Sequence, residues 1–338
     1  MDDTPKQAPG DLDPADIAIL KEPIAGPLSW TAATFKFGSN IIPLSDTQLA
    51  ALENLHAHRG DAPSLAAAKS SLGPVAASII EHCENISGFA LVRGVDVTRY
   101  ATEQLKTMFF RFCGIVGNIV TQNSKGETLC EVTDANQGRM AGSNVRGYLT
   151  NEALSFHTDS SDILALFCEK VSENGGDSLV VSASTIYNEL LARFREYLGL
   201  LYVGFFYDDR GQQKPAQLPA YRNAVFTCRD GKLACRYYLY DYVAPAYAKL
   251  ALPLSPLEAH ALRLFNAIAE DPANYVTFRM QPGDMVFYSN NNVLHARTAY
   301  KDPPGDEHQR RKLYRVWLNP HCPRALPATF ARYRFGYH

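Results

Sequence analysis

The chain has 338 residues, 46% hydrophobic and 20% charged, enough apolar material for a sizeable core and too much for a disordered polymer. A formal net charge of −2 excludes a global attraction to nucleic acid or anionic membrane, so any anion must be bound locally. Seven cysteines (Cys83, Cys113, Cys130, Cys168, Cys228, Cys235, Cys322), an odd number without Cys-x-x-Cys, argue against a disulfide framework or zinc ribbon and for reduced, buried thiols.

Residues 1–28 read as a poorly ordered lead-in. Met1 to Pro14 has no apolar run of the kind a signal peptide carries. No later stretch approaches the roughly 20 apolar residues of a spanning helix. A cytoplasmic protein without membrane or nucleic-acid partners is expected.

The segment 29–117 reads as helical. Ser45 to His58 carries Leu49, Leu52 and Leu55 on one face, with Asp46 available as a cap. Ser64 to His82 is helical too, and Gly73-Pro74 is expected to end one helix and start another. Gly88 to Val92 is a short buried strand. Thr102 to Ile115 is a third helix with Leu105, Met108, Phe109 and Phe112 together.

From 118 to 320 the pattern changes to short β-prone runs: Ile163 to Phe167, Leu179 to Val181, Leu201 to Tyr207, Ala224 to Cys228, Tyr275 to Met280 and Met285 to Ser289. Two helices interrupt them, Ser184 to Leu200 and Ser255 to Glu270. The second opens with Ser255-Pro256-Leu257-Glu258, a serine cap with proline at the first helical position. Residues 321–338 form a tail. The expectation is one domain over 29–338, mainly β with flanking helices, built as a distorted jelly roll, or double-stranded β-helix.

Within this frame, His157-Thr158-Asp159 stands out. Positions two apart in a strand face one way, so both side chains can meet one metal. A surface histidine beside a carboxylate gives the same tripeptide. His295, beyond the Gln281-Pro282-Gly283-Asp284 turn, an apolar strand and Ser289-Asn290-Asn291-Asn292, is the best third ligand among nine histidines. Two imidazoles and a carboxylate can cap one face of Fe(II) and leave the other for a co-substrate and O2.

Arg311 and Arg315, four apart, share a strand face with Leu313 between them. A guanidinium directed inward needs an anion, which an internal Asp or Glu or a dicarboxylic co-substrate supplies. Gly175-Gly176-Asp177-Ser178 is either a plain β-turn or a turn that presents Ser178 as a second donor to that carboxylate.

These stretches, together with Arg146-Gly147-Tyr148 and Val293-Leu294-His295-Ala296-Arg297, resemble the taurine dioxygenase (TauD/TfdA-like) family of Fe(II)/2-oxoglutarate-dependent oxygenases, over about Gly114 to Trp317. The resemblance implies that His157, Asp159 and His295 bind iron and that Arg311 holds the distal carboxylate of 2-oxoglutarate. Ser178 stands where the family often has threonine. Arg315 matches an arginine that contacts either the co-substrate or an anionic group of the substrate.

The family's chemistry couples decarboxylation of 2-oxoglutarate by O2, giving succinate and CO2, to oxidation of an unactivated C–H bond. The substrate implied is a small anionic molecule, an amino acid or other carboxylic acid. The outcome is hydroxylation, desaturation or ring closure; some fungal relatives in secondary metabolism close an aziridine on a valine-like amino acid. Arg146, Arg222 and Arg315 are candidate partners for a substrate carboxylate. The aromatic and cationic tail from Phe330 to Tyr337 is either a lid or packing on the outer sheet, and the loop Asp208 to Tyr221 is a second candidate lid.

Two other readings compete. A zinc hydrolase would use the same ligands but has no need of an Arg311/Ser178 anion site. A catalytically silent binding protein would have no reason to keep all three ligands.

Overall fold

The computed structural model describes residues 19–57, 62–135, 147–212, 218–238, 240–303, 309–327, 330 and 332–337. Arg146, His58, His308 and His338 lie outside them.

Two facing sheets form the centre. The larger runs β1 (Ile41–Pro43), β2 (Phe89–Arg93), β14 (Met285–Ser289), β6 (Ile163–Lys170), β17 (Lys312–Pro320) and β3 (Gly117–Val120), with β4 (Leu129–Val132) beside β3 on the same edge of β17. Only β1 and β2 are parallel in this sheet. The smaller is antiparallel, in the order β13 (Tyr275–Phe278), β8 (Ser178–Ser182), β15 (Val293–Arg297) and β5 (Leu154–His157). Short pairs complete the strands: β7 (Asn174–Gly175) with β16 (Tyr300–Lys301), β9 (Phe205–Asp208) with β10 (Ala220–Asn223), and β11 (Phe226–Arg229) with β12 (Lys232–Cys235).

The larger sheet is buried on both faces, which is why its strands read as apolar runs rather than alternating ones. In β14, Met285 and Phe287 join the core under the N-terminal helices, while Val286 and Tyr288 face the other sheet. In β17, Tyr314, Val316 and Leu318 face the helices, and Leu313 and Trp317 face inward. Those helices are α1 (Asp46–Ala57), α2 (Ala62–Glu81) and α3 (Thr102–Val116). A second helical layer covers the smaller sheet: α4 (Ala183–Arg193), α5 (Leu198–Val203), α6 (Val243–Lys249) and α7 (Pro256–Ala269). It buries Val181, Leu294 and Ala296. The expected jelly roll with outer helices is what the chain forms.

Four local expectations change. Ser45, not Asp46, caps α1, because Ser45 Oγ accepts from the Gln48 N–H while Gln48 Oε1 accepts from the Ser45 N–H. Helix α2 runs unbroken through Pro74; Leu72, Val75, Ala76 and Ile79 are buried on one face, and that packing offsets the bond proline cannot make. The run Leu201 to Tyr207 is not one strand. Gly204, at φ 78° and with its Cα too close to the Asn223 carbonyl for any Cβ, ends α5 and starts β9. Leu201 before it and Phe205 after it pack into one core, so hydrophobicity alone cannot separate helix from strand. Ser184 to Leu200 likewise divides at Phe194. Helix α7 keeps its expected Ser255 capping box.

All seven cysteines are free, and only Cys322 is exposed. Among the described residues no helix is long and apolar enough to cross a membrane.

Candidate active site

His295 is the third residue of β15 and pairs with His157, the last of β5. The two rings are 4.4 Å apart, centre to centre. Strand β5 stops at His157, so the shared strand face expected for His157 and Asp159 does not exist. The Thr158 N–H donates to the Tyr237 carbonyl at 2.7 Å, and the chain turns there. Asp159 is brought back by Asn290, whose Oδ1 accepts the Asp159 N–H at 2.9 Å and whose Nδ2 donates to the Ser161 carbonyl. One ligand atom from each of His157, Asp159 and His295 lies within 4.8 Å of the others.

These donors fit a metal ion. His157 Nδ1–H donates to the Ser155 carbonyl at 2.8 Å, which fixes the tautomer and leaves Nε2 a free lone pair. His295 is buried, its Nδ1 has no partner, and the Tyr288 ring stacks on it at 5.2 Å. Burial, and then the neighbouring His157, push His295 down to about 3. Burial likewise lowers His157. Both imidazoles are therefore neutral at pH 7, the form that ligates. Burial raises the Asp159 carboxyl, but Arg315, the two imidazoles and the Trp317 N–H outweigh it and hold it below its ordinary value.

Trp317 and Arg315 follow from the alternation of β17. Trp317 Nε1–H donates to Asp159 Oδ2 at 2.9 Å, leaving the other oxygen available. Arg315 Nη1 lies 3.7 Å from the same Oδ2. Gln122 holds Arg315 in place: its Oε1 accepts from Arg315 Nε at 2.7 Å, and its Nε2 donates to the Arg315 carbonyl. The Arg315 guanidinium sits over Tyr148 and Trp317, and its Nη2 is buried without a partner.

A polar partner of a ligand typically contributes 10- to 100-fold to metal affinity. Trp317→Phe keeps the aromatic packing and removes the N–H, so it is expected to weaken iron binding by about 10- to 100-fold without unfolding the chain. Equilibrium iron binding, with circular dichroism as the fold control, checks this.

Arg311 immediately precedes β17 and is buried, with its guanidinium 5.0 Å from the centre of the Tyr300 ring and Nη1 unpartnered. The Gly175-Gly176 turn makes room for it. A Cβ on Gly175 would overlap the Ala299 carbonyl, and one on Gly176 would press on Arg311 Nε at 3.1 Å. Both glycines have positive φ. The turn delivers Ser178 to the head of β8, beside Tyr288.

On the other side, a cavity opens past His157, Asp159 and Arg315. Tyr148, Tyr221, Tyr238 and Tyr242 contribute aromatic wall. Its acids are engaged: Asp208 accepts from Lys249 Nζ at 2.7 Å, and Asp209 accepts from Tyr333 Oη at 2.8 Å. The cations on the wall are Arg315 and Arg210, the latter buried, over Tyr242 at 4.2 Å and in the left-handed region at φ 50°. The tail folds over the mouth, with Tyr337 on the cavity wall and stacked on Tyr333 at 3.9 Å. The described ends of the 208–221 loop line the same mouth. Arg222 does not reach it; its side chain is exposed, over Phe206 on the far side of the β9–β10 hairpin.

Several contributors escaped the sequence reading: Asn290, Gln122, Trp317 and Arg210. One of them carried a usable signal. Trp317 is two residues from Arg315, the period that puts side chains on one strand face.

The model of the taurine catabolism dioxygenase TauD, TfdA family matches residues 64–317. The FR-33289 synthase of Streptomyces rubellomurinus is 34% identical over 329 residues, covering 95% of this chain and 97% of that protein. The taurine hydroxylase-like protein SAT17 of Stachybotrys chartarum is 27% identical, over 77% and 69% of the two chains. Among solved structures, asparagine oxygenase with Fe(II), 3-hydroxyasparagine and succinate superposes with a TM-score of 0.59 at 17% identity, over 82% and 93%. The non-heme iron oxygenase OrfP with Fe and alpha-ketoglutaric acid gives 0.60 at 13%, over 82% and 93%. The chain belongs to the TauD, TfdA family, and is an oxidoreductase of the Fe(II)- and 2-oxoglutarate-dependent dioxygenase kind.

Proposed function

We propose that His157, Asp159 and His295 bind the Fe(II), that Arg311 and Ser178 receive the distal carboxylate of 2-oxoglutarate, and that the substrate is a small anion, an amino acid or other carboxylic acid, oxidised at an unactivated C–H bond. The observation that carries this reading is the convergence of the three donors, within 4.8 Å, beside a cavity lined by Arg315, Arg210 and a wall of tyrosines. Arg311, buried with an unpaired N–H, supports the co-substrate end.

Iron and 2-oxoglutarate, when bound, supply with O2 the oxidant that removes a hydrogen atom, leaving succinate and CO2. The chain's own work is positional. His157 and His295 stay neutral and Asp159 ionised. Trp317 and Asn290 fix Asp159, and Gln122 fixes Arg315. Arg315 lines the open cavity rather than the side of Arg311, which favours a substrate anion as its partner. The tyrosine wall and Tyr337 enclose the substrate and exclude water. Structures of two relatives hold amino acids, 3-hydroxyasparagine in asparagine oxygenase and L-Arg in OrfP.

Hydroxylation, desaturation and ring closure, including aziridine closure on a valine-like amino acid, begin with the same hydrogen abstraction. The test is a succinate-release screen over amino acids and small carboxylic acids with Fe(II), 2-oxoglutarate and O2. At least one anionic compound is expected to raise succinate release well above the substrate-free rate, and the product mass shows whether oxygen was gained or hydrogen lost. Stimulation by neutral or cationic compounds alone would overturn the anionic assignment.

A further inference from the structure

A ladder of aromatic rings leads from a ligand carboxylate to the protein surface. Its inner rung is Trp317, 2% exposed, whose Nε1–H donates to Asp159 Oδ2 at 2.9 Å. The Trp317 ring is stacked on that of Tyr337, centre to centre 6.4 Å. Tyr337 stacks in turn on Tyr333, at 3.9 Å. Tyr333 is half-buried, so the outer rung reaches solvent. Its Oη donates to the two oxygens of Asp209, each at 2.8 Å.

Backbone bonds hold the rungs in line. Thr121 Oγ1 accepts from the Tyr337 N–H at 2.7 Å and donates to the Tyr337 carbonyl at 2.8 Å. Gly336, at φ 93°, brings the tail so close that a Cβ there would lie 2.6 Å from Thr121 Oγ1. Arg334 is bound to Asp162, and its carbonyl accepts from Asn319 Nδ2 at 2.9 Å. Burial, and then Asp209, push the Tyr333 phenol up, so at rest it keeps its proton. A phenol that has lost an electron is a strong acid, and the Asp209 carboxylate is placed to take that proton.

Packing of the tail requires stacked rings. It does not require that the inner ring be bonded to a ligand carboxylate and the outer one to a proton acceptor. O2 activated with no substrate in place leaves an oxidant facing its own aromatic wall. We propose that Trp317, Tyr337 and Tyr333 form an electron-transfer chain that discharges this oxidant when no substrate is bound. This role rests on the proposed placement of iron at His157, Asp159 and His295. In each round one electron passes from Tyr333 through Tyr337 and Trp317 to the metal site, and the Tyr333 proton moves to Asp209. A small reductant in solution, a thiol or ascorbate, returns the electron to Tyr333, and the proton comes back from Asp209. Two rounds supply the two electrons needed, and the oxidant's oxygen atom leaves as water with two solvent protons.

The test loads the full chain anaerobically with Fe(II) and 2-oxoglutarate, mixes it with O2 without substrate, freezes it rapidly and records electron paramagnetic resonance. A tyrosyl radical is expected, its signal narrowed when the chain is made with ring-deuterated tyrosine. The phenols are replaced rather than Trp317, because Trp317 also steadies Asp159. Tyr333→Phe and Tyr337→Phe each keep a ring and remove an oxidisable phenol. The signal is expected to be lost in Tyr333→Phe and strongly diminished in Tyr337→Phe. Substrate-free turnovers completed before inactivation, counted as succinate per chain, are expected to fall in both variants. Ascorbate is expected to raise that count in the wild type and not in Tyr333→Phe.

A radical that persists in Tyr333→Phe lies on another tyrosine and overturns the proposal, and one undiminished in Tyr337→Phe overturns the route. Turnover counts unchanged in both variants overturn the discharging role. So does the absence of any radical from the wild type when the anaerobic iron–2-oxoglutarate absorption band has formed and succinate is released, a result that leaves the iron site standing. Failure of that band to form removes the iron site and the ladder's role with it. If Tyr333→Phe does not fold, Tyr337→Phe decides alone, by the size of its signal.

Discussion

Asp159→Ala is expected to lower turnover by at least about a thousandfold and to strip the chain of iron, while the fold survives. The carboxylate is the only anionic donor of the three, and it is kept ionised by Arg315 and the Trp317 N–H against the cost of burial. Its loss leaves two neutral imidazoles, which hold iron weakly. An enzyme whose oxidant forms at the metal then loses several kcal/mol of stabilisation at about 1.4 kcal/mol per factor of ten. Arg315 keeps its bond to Gln122, and Asn290 accepts from the backbone at 159 rather than the side chain, so the loop has its supports. Metal analysis of the purified variant and succinate release measure the two effects. A variant that retains stoichiometric iron and near-native rates would remove Asp159 from the site.

The largest expected effect on stability comes from a residue outside the chemistry. Asp162 is 1% exposed and is the sole carboxylate partner of Arg236 and Arg334 among the described residues. Arg334 approaches it through Nε at 2.8 Å and Nη2 at 2.7 Å, and Arg236 through Nη2 at 3.1 Å. The trio ties the tail, through Arg334, to the segment that follows Asp159 and to the end of β12. Removing one partner of a buried ion pair costs about 3–5 kcal/mol, because the other charge stays buried and unpaired. Asp162→Ala strands two guanidiniums, so an unfolding midpoint lower by about 10 °C is expected. The tail is also expected to become sensitive to proteases. Thermal unfolding and limited proteolysis check both, and a midpoint within about 2 °C of the wild type would contradict the account.

What the sequence disclosed depended on how narrow each chemical demand was. A metal needs particular donor types, so His157, Asp159 and His295 stand out in the sequence as a set, and the fold brings them together, though not through the strand face expected for the first two. Strand β5 ends at His157, and a hydrogen bond from the Asp159 backbone to Asn290 does what strand alternation was expected to do. Nothing local marks Asn290 for that task; it depends on a contact 131 residues away in the chain. The apolar run Leu201 to Tyr207 hid a helix end, because both of its halves contribute side chains to one core and Gly204 was the sole divider. The reading of Pro74 as a break failed for a similar reason, since packing outweighed one lost backbone bond. Trp317 was within reach of the alternation already applied to Arg311 and Arg315. The cavity wall was not. Tyr148, Arg210, Tyr221 and Tyr337 come from four separate segments, which only the fold brings together.

In the proposed function, one site holds iron through His157, Asp159 and His295 and 2-oxoglutarate through Arg311. The most direct measurement is the visible spectrum of the apoprotein titrated anaerobically with Fe(II) and 2-oxoglutarate. A weak metal-to-ligand charge-transfer band is expected only when both are present, and it is expected to be absent in His157→Ala and strongly weakened in Arg311→Ala at the same concentrations. Iron bound in full with no such band, or a band indifferent to both substitutions, would contradict the account.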